Sequence, residues 1–109
     1  ISPGQLTNIE KETWLAEVIR EKIFLALRKE VPYTITVEIA SIEEKEDVFV
    51  IQARVLTYDK RYKKMIIGEG GRAIKEIGIA ARKELEVALN KKVYLELEVE
   101  VDKHWIERV

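Results

Sequence analysis

The sequence predicts an α+β domain in which the elements follow the order helix, strand, strand, short helix, loop, helix, strand. Two observations support this prediction. Apolar residues recur at helical spacing in two long segments, and they alternate with polar residues in three others, as half-buried helices and strands require. The chain has 109 residues and no cysteine, and it is long enough to bury one hydrophobic core without disulfide bonds. We therefore expect a single domain.

The first half of the chain holds a helix and a pair of strands. Residues 1–12 form a polar lead-in, and residues 13–30 carry apolar side chains at helical spacing until Pro32 ends the pattern. Residues 35–39 and 48–57 alternate apolar and polar side chains, and a charged turn separates the two segments. We expect these strands to pair as an antiparallel hairpin.

The second half holds a short helix, a glycine loop, a long helix and a strand. Residues 62–67 form a short apolar turn that leads into the glycine loop, which we define as residues 68–71. Residues 74–89 carry apolar side chains at helical spacing, and Asn90 after them is typical of a helix end. Residues 93–101 alternate strictly between apolar and polar side chains, so they predict the last strand.

The glycine loop is suited to holding a phosphate. Gly68 and Gly71 lack the Cβ atoms that would keep a polyanion off the backbone, and the helix that follows presents free N–H groups. Two known designs use such a junction: the GxxG loop of KH domains, which clamps single-stranded nucleic acid, and the dinucleotide-binding turn of Rossmann folds. The run from Gly68 to Ala73 also matches the Rossmann pattern, but that design needs a parallel strand directly before the turn. The sequence therefore favours the nucleic-acid clamp.

Charge is distributed unevenly along the chain, although the net charge is only −1. Residues 60–83 contain eight basic and two acidic residues, a local charge of +6, and the rest contains 11 basic and 18 acidic residues, a charge of −7. The basic residues could simply cover solvated helix faces. Because they coincide with the glycine loop, we expect them to attract a phosphate chain at this one place.

The residue types argue against several other functions. With no cysteine and one histidine, the sequence offers no thiolate metal site and little basis for zinc chemistry. The only serines are Ser2 and Ser41, and the acidic residues mostly fall at outward positions, so no catalytic constellation assembles. No apolar run approaches the roughly 20 residues of a membrane span. We expect a soluble domain that is not an enzyme.

Several segments together resemble the C-terminal type-II KH domain of the Era family of GTPases. They are residues 18–23, 31–33, 37–39, 64–71, 74–78, 81–83 and 91–97, with Trp105 after the last strand. The resemblance implies a three-stranded mixed sheet with three helices packed on one face, formed by residues 13–109. Residues 1–12 would then be the linker from a GTPase domain that this sequence lacks.

The resemblance also implies a function. Such domains bind single-stranded RNA at the 3′ end of small-subunit ribosomal RNA during assembly of the small ribosomal subunit. GTP and Mg²⁺ would bind to the missing GTPase domain, which in the full-length protein would be a partner of this domain. This chain itself would hold no cofactor, metal or catalytic residue. A monomer is the default expectation for the chain. The resemblance implies a location in the cytoplasm or peripherally on the inner face of the cell membrane.

Candidate RNA-binding residues follow when KH geometry is placed on this sequence. The loop would grip the RNA backbone, nearby cations would contact phosphates, and isoleucines would floor a groove for the bases. The loop residues are Gly68, Glu69, Gly70 and Gly71; the cations are Arg72, Lys75, Lys63 and Lys64; the isoleucines are Ile66, Ile67 and Ile74.

Two alternatives remain at this point. Era-family domains commonly carry a basic residue where this chain has Glu69, and the last strand is acidic. Both features would suit a degenerate KH module that acts as a protein-interaction or spacer domain. Association of the basic segment with anionic lipid is a further alternative.

Overall fold

The structure, a computed structural model, describes residues 7–27 and 31–104. Its elements occur in the predicted order, with two short 3₁₀ turns in addition. They are α1 (Asn8–Ala26), a 3₁₀ turn (Val31–Thr34), β1 (Ile35–Glu44), β2 (Val48–Thr57), α2 (Lys60–Ile67), a 3₁₀ turn (Glu69–Gly71), α3 (Arg72–Leu89) and β3 (Lys92–Val101).

The three strands form one mixed sheet in the order β1-β2-β3. β1 pairs antiparallel with β2, as the hairpin prediction requires, and the register shifts at a bulge between Ile39 and Ser41. β3 pairs parallel with β2, because α2 and α3 carry the chain back across the sheet before β3 begins. The mixed α+β fold predicted from the sequence is therefore confirmed.

The core lies between one face of this sheet and the helices. Ile51, Ala53 and Val55 of the central strand are at most 1% exposed, and they alternate with side chains on the open face of the sheet. α1 and α3 contact each other, and α2 packs against both β2 and β3. This arrangement leaves β3 as an edge strand beside α3, which is where the candidate site forms.

Helix α1 begins earlier and ends earlier than the apolar pattern predicts. The side chain of Thr7 accepts a hydrogen bond from the Glu10 N–H at 3.1 Å, and the Glu10 carboxylate accepts one from the Thr7 N–H at 3.3 Å. This capping box starts the helix at Asn8 rather than at Thr13. Residues 8–12 therefore belong to α1, whereas the rest of the predicted linker, apart from Thr7, lies outside the described residues, as does Trp105.

An ion pair joins α1 to α3. The Lys22 Nζ lies 2.6 Å from the Glu84 carboxylate and 3.1 Å from that of Glu21. The hydrogen bonds that Lys22 donates to Glu84 and Glu21 raise the pKa of its ammonium group above the usual value. At its other end, α3 stops at Asn90, whose left-handed backbone confirms the predicted helix end. In the described part of the chain, no helix is both long enough and apolar enough to cross a membrane.

Candidate nucleic-acid interface

The glycine loop turns sharply between α2 and α3 through three residues with positive φ. Gly68, Gly70 and Gly71 have φ values of 77°, 64° and 77°. A Cβ atom at Gly68 would lie 2.7 Å from the Cβ of Ala73, so side chains are excluded there by sterics as well as by conformation. At Gly70, by contrast, no atom lies within 4 Å of the position that a Cβ would take. At Gly70 and Gly71 the loop is therefore bare backbone that a ligand can approach closely.

Backbone hydrogen bonds hold the loop in this shape. The Gly68 N–H donates to the Lys64 carbonyl at 2.8 Å, and the Gly71 N–H donates to the Gly68 carbonyl at 3.1 Å. The start of α3 has no side-chain cap, whereas Thr7 caps α1 and Asp59 caps α2. The Arg72 N–H donates to the Glu69 carbonyl within the loop. No side chain covers the start of α3, and the helix dipole favours an anion at this position.

Four cations near the loop have no acidic partner among the described residues. Lys63 and Lys64 lie at the end of α2, and Arg72 and Lys75 lie in the first turns of α3. All except the half-buried Lys63 are exposed, and none of the four forms an ion pair with another described residue. These cations keep their full charge for an external polyanion. Glu69 is exposed in the middle of them and opposes their field.

An open groove of about 320 Å³ runs from the loop end of α3 along the face of β3. It is lined by Ile74, Lys75, Gly78, Ile79, Arg82, Leu95 and Leu97. At Gly78 a Cβ would lie 3.8 Å from the Leu97 Cδ1 atom, so the missing side chain there keeps the groove open between helix and strand. The groove is apolar in its middle and has a cation toward each end, an arrangement suited to flat bases joined by phosphates.

The predicted groove residues take three different positions. Ile74 lines the groove as expected. Ile67 is half-buried at the end of α2 and is not among the groove-lining residues. Ile66 is fully buried in the main core cluster, so its assignment to the groove floor is wrong: a side chain with no exposed surface cannot contact RNA.

Sequence reasoning missed most of the groove. Gly78, Ile79 and Arg82 were absent from the predicted site, as were Leu95 and Leu97. Gly78, Ile79 and Arg82 of α3 follow Lys75 by three, four and seven residues, so they lie on the same helix face as Lys75. That spacing is a signal that could have found them. The two leucines share the inward face of β3, but only its edge position shows that they border open space.

The arrangement around the loop rules out the dinucleotide interpretation. The element before the glycines is α2, whereas a Rossmann turn needs a parallel strand there. Among residues 7–27 and 31–104, no three His, Asp or Glu side chains converge as metal ligands. What the site offers is a backbone clamp, free cations and an apolar groove.

Comparison with known proteins assigns a family to this geometry. Residues 30–106, which contain the loop, the groove and the whole sheet, match the family model described as KH domain. The chain belongs to the KH domain family. Within that family the loop of this KH domain is the GxxG element, and the order of strands and helices fits the type-II fold that the sequence predicted.

The relatives of this KH domain are Era GTPases. The chain is 43% identical over 107 residues to GTPase Era from Nitratidesulfovibrio vulgaris (strain Miyazaki F), covering 96% of this chain and 35% of that protein. It is 43% identical over 105 residues to GTPase Era from Deinococcus radiodurans, covering 95% of this chain and 34% of that protein. The chain thus spans about a third of the length of the curated relatives that it matches.

Two solved structures share the fold of this KH domain. One is a variant of Aquifex aeolicus Era bound to GDP and AlF₄⁻, with a TM-score of 0.84 and 39% identity over 89% of this chain and 33% of that one. The other is Era in complex with MgGDPNP and nucleotides 1506–1542 of 16S ribosomal RNA, with a TM-score of 0.87 and 37% identity over 99% of this chain and 37% of that one.

Proposed function

We propose that this chain binds single-stranded RNA at the 3′ end of small-subunit ribosomal RNA. It would do so as the KH domain of an Era-like GTPase that assists assembly of the small ribosomal subunit. The observation that carries the proposal is the juxtaposition, around the start of α3, of the glycine loop, four cations without a described acidic partner and the apolar groove. The related Era structure that contains 16S ribosomal RNA supports the choice of RNA.

The geometry suggests how each part acts. A phosphate would approach the backbone of the loop at the start of α3, where the helix dipole favours an anion, while Arg72 and Lys75 balance its charge. The neighbouring bases would then lie against Ile74, Ile79 and the leucines of β3. Phosphate contacts fix the position of the strand, and base contacts in the groove select its sequence.

The rest of such a protein would supply the nucleotide chemistry. The related Era structures contain GDP with AlF₄⁻ or MgGDPNP, and they are about three times as long as the region that this chain matches. We propose that GTP and Mg²⁺ bind in that additional part and that this chain is the non-catalytic RNA-binding part. A ribosomal RNA partner implies action in the cytoplasm; peripheral membrane association stays a prediction of the resemblance.

The proposal is tested by titrating the chain with a short single-stranded RNA that matches the 3′ end of small-subunit ribosomal RNA, and with a scrambled RNA of the same composition. We expect tighter binding to the matching RNA. If the four free cations each neutralise one phosphate, log K should fall with log salt concentration with a slope of about −3. Equal, weak and salt-insensitive binding to both RNAs would contradict the proposal and favour a protein-interaction module.

A substitution at Glu69 tests the proposal by an expected gain in RNA affinity. Exchange of Glu69→Lys removes an exposed negative charge among the loop cations and adds a positive one. We expect RNA affinity to rise by roughly fivefold to tenfold, about 1 kcal/mol, with a salt slope steeper by about 0.7 if the new lysine contacts one phosphate. Fluorescence anisotropy at several salt concentrations measures both.

The matched control for Glu69→Lys is Glu43→Lys. It makes the same change in charge near the end of β1, in a part of the sheet that is distant from the glycine loop. We expect a much smaller gain there, since exposed charges more than about 10 Å apart are screened at moderate salt. Equal gains at both positions would mean that only the net charge matters.

A further inference from the structure

Arg82 differs from the four cations near the loop because a carboxylate lies beside it. It lines the groove two helical turns beyond Lys75, and its Nη1 atom lies 3.6 Å from the Glu86 Oε1 atom. The side chains of Arg82 and Glu86 are 42% and 29% exposed, so the pair is at the groove surface but partly shielded from water. Within residues 7–27 and 31–104, the cations near the loop have no such carboxylate. The Glu86 carboxylate, although beyond hydrogen-bond distance, therefore offsets part of the charge of Arg82.

Glu86 is itself fixed by the backbone. Its Oε2 atom accepts a hydrogen bond from the Val93 N–H at 3.0 Å, at the start of β3. One carboxylate oxygen thus contacts the strand while the other faces the guanidinium group. This contact restricts the rotation of Glu86 and holds its carboxylate near Arg82, whose guanidinium N–H groups can donate to a ligand in the groove.

An arginine in the groove with a fixed carboxylate beside it is better suited to recognising a base than to attracting a phosphate. We propose that Arg82 is a specificity-determining residue that recognises a guanine in the groove, with Glu86 as its positioning residue. The inference rests on the proposed RNA-binding function. Two parallel N–H donors of a guanidinium match the O6 and N7 acceptors of guanine. Binding a phosphate at this point would bring the Glu86 carboxylate close to a second anion.

The spacing along α3 predicts where the guanine lies in the RNA. Arg82 is seven residues from Lys75, which corresponds to about 10 Å along the helix axis and places both residues on the same face. Stacked nucleotides are about 3.4 Å apart along one strand. The guanine should therefore lie about three nucleotides from the phosphate that Lys75 contacts, with the apolar wall formed by Ile79, Leu95 and Leu97 between them.

The test is binding of the full chain to a pool of random single-stranded RNA octamers, followed by sequencing of the bound fraction. We expect guanine to be enriched at one position. Arg82→Lys keeps the charge but loses the two-donor geometry, and it should reduce the guanine preference by about tenfold. Glu86→Gln keeps an oxygen for the Val93 N–H but frees the charge of Arg82. It should weaken the preference and steepen the salt slope by about 0.7.

Two further variants separate recognition of the guanine from the general effect of charge on RNA binding. The double variant Arg82→Gln, Glu86→Gln removes a balanced pair, so it should abolish the guanine preference and leave the salt slope unchanged. Lys83→Gln removes a charge from the neighbouring exposed position outside the groove, and it should leave the preference intact.

The outcomes distinguish this inference from the function on which it rests. If the wild-type chain binds no octamer, the proposed function is overturned and the role of Arg82 with it. Binding without a guanine preference, a guanine preference that survives Arg82→Lys, or a preference for cytosine would overturn the role of Arg82 alone. A salt slope that becomes shallower in the double variant would identify Arg82 as a phosphate contact and would also overturn it.

Discussion

Two aspartates in the glycine loop, Glu69→Asp with Gly70→Asp, are expected to weaken RNA binding by about a hundredfold and leave the domain folded. The second aspartate adds a negative charge and a side chain at the point where a phosphate would approach the bare backbone. Loss of the close approach and the added repulsion together correspond to about 2.7 kcal/mol. Titration with the matching single-stranded RNA measures the loss.

The structure explains why these positions are preferable to Gly68 for this test. Gly70 has φ 64° and ψ 18°, a left-handed conformation that aspartate adopts more readily than most residues, and its Cβ would meet no atom within 4 Å. A Cβ at Gly68 would collide with Ala73, so loss of binding there would be confounded with loss of structure.

Val87→Asp is the matched control for the loop variant. It makes the same change in net charge on α3, at a side chain that is 83% exposed and does not line the groove. We expect this variant to bind RNA almost as tightly as the wild type, and both variants to melt cooperatively in circular dichroism. Wild-type affinity in the loop variant would show that RNA does not contact the glycines.

Local sequence patterns were enough to predict the elements and their order. The strict alternation in β3 and the helical spacing in α3 each reflect one buried face, so they can be read without knowing the fold. The apolar spacing alone places the start of α1 at Thr13, because it does not include the capping box formed by Thr7 and Glu10. A capping box is a local motif, and the true helix start was therefore available in the sequence.

The loop was predictable from sequence in a way that the groove was not. Glycine is favoured where φ is positive, as at Gly68, Gly70 and Gly71, and it is required where a Cβ would collide, as at Gly68. A groove instead depends on how a helix and a strand that are distant in sequence come together. Ile66 and Ile74 are equally apolar in sequence, but one is fully buried between α2 and the sheet and the other lies at the open edge beside β3.

Filling the groove at Gly78 should abolish base binding without any change in charge. A leucine there would extend from α3 toward Leu97, across the space that a base would occupy. We expect Gly78→Leu to weaken binding of the matching RNA by about thirtyfold to a hundredfold, because each base that stacks on a protein surface contributes about 1–3 kcal/mol and more than one base lies in the groove. The salt slope should change little, since the loop and its cations remain.

Gly78→Ala separates this steric effect from any effect on the fold. Gly78 lies within α3, and the added methyl group would contact the Leu97 Cδ1 atom at the ordinary distance of 3.8 Å. Replacing a glycine inside a helix should raise the free energy of unfolding by about 0.5–1 kcal/mol, measured by urea denaturation. RNA affinity should stay within about threefold of the wild type, since one methyl group leaves most of the groove open. Equal RNA affinity in the leucine and alanine variants would mean that bases do not enter the groove and that the loop and its cations account for binding.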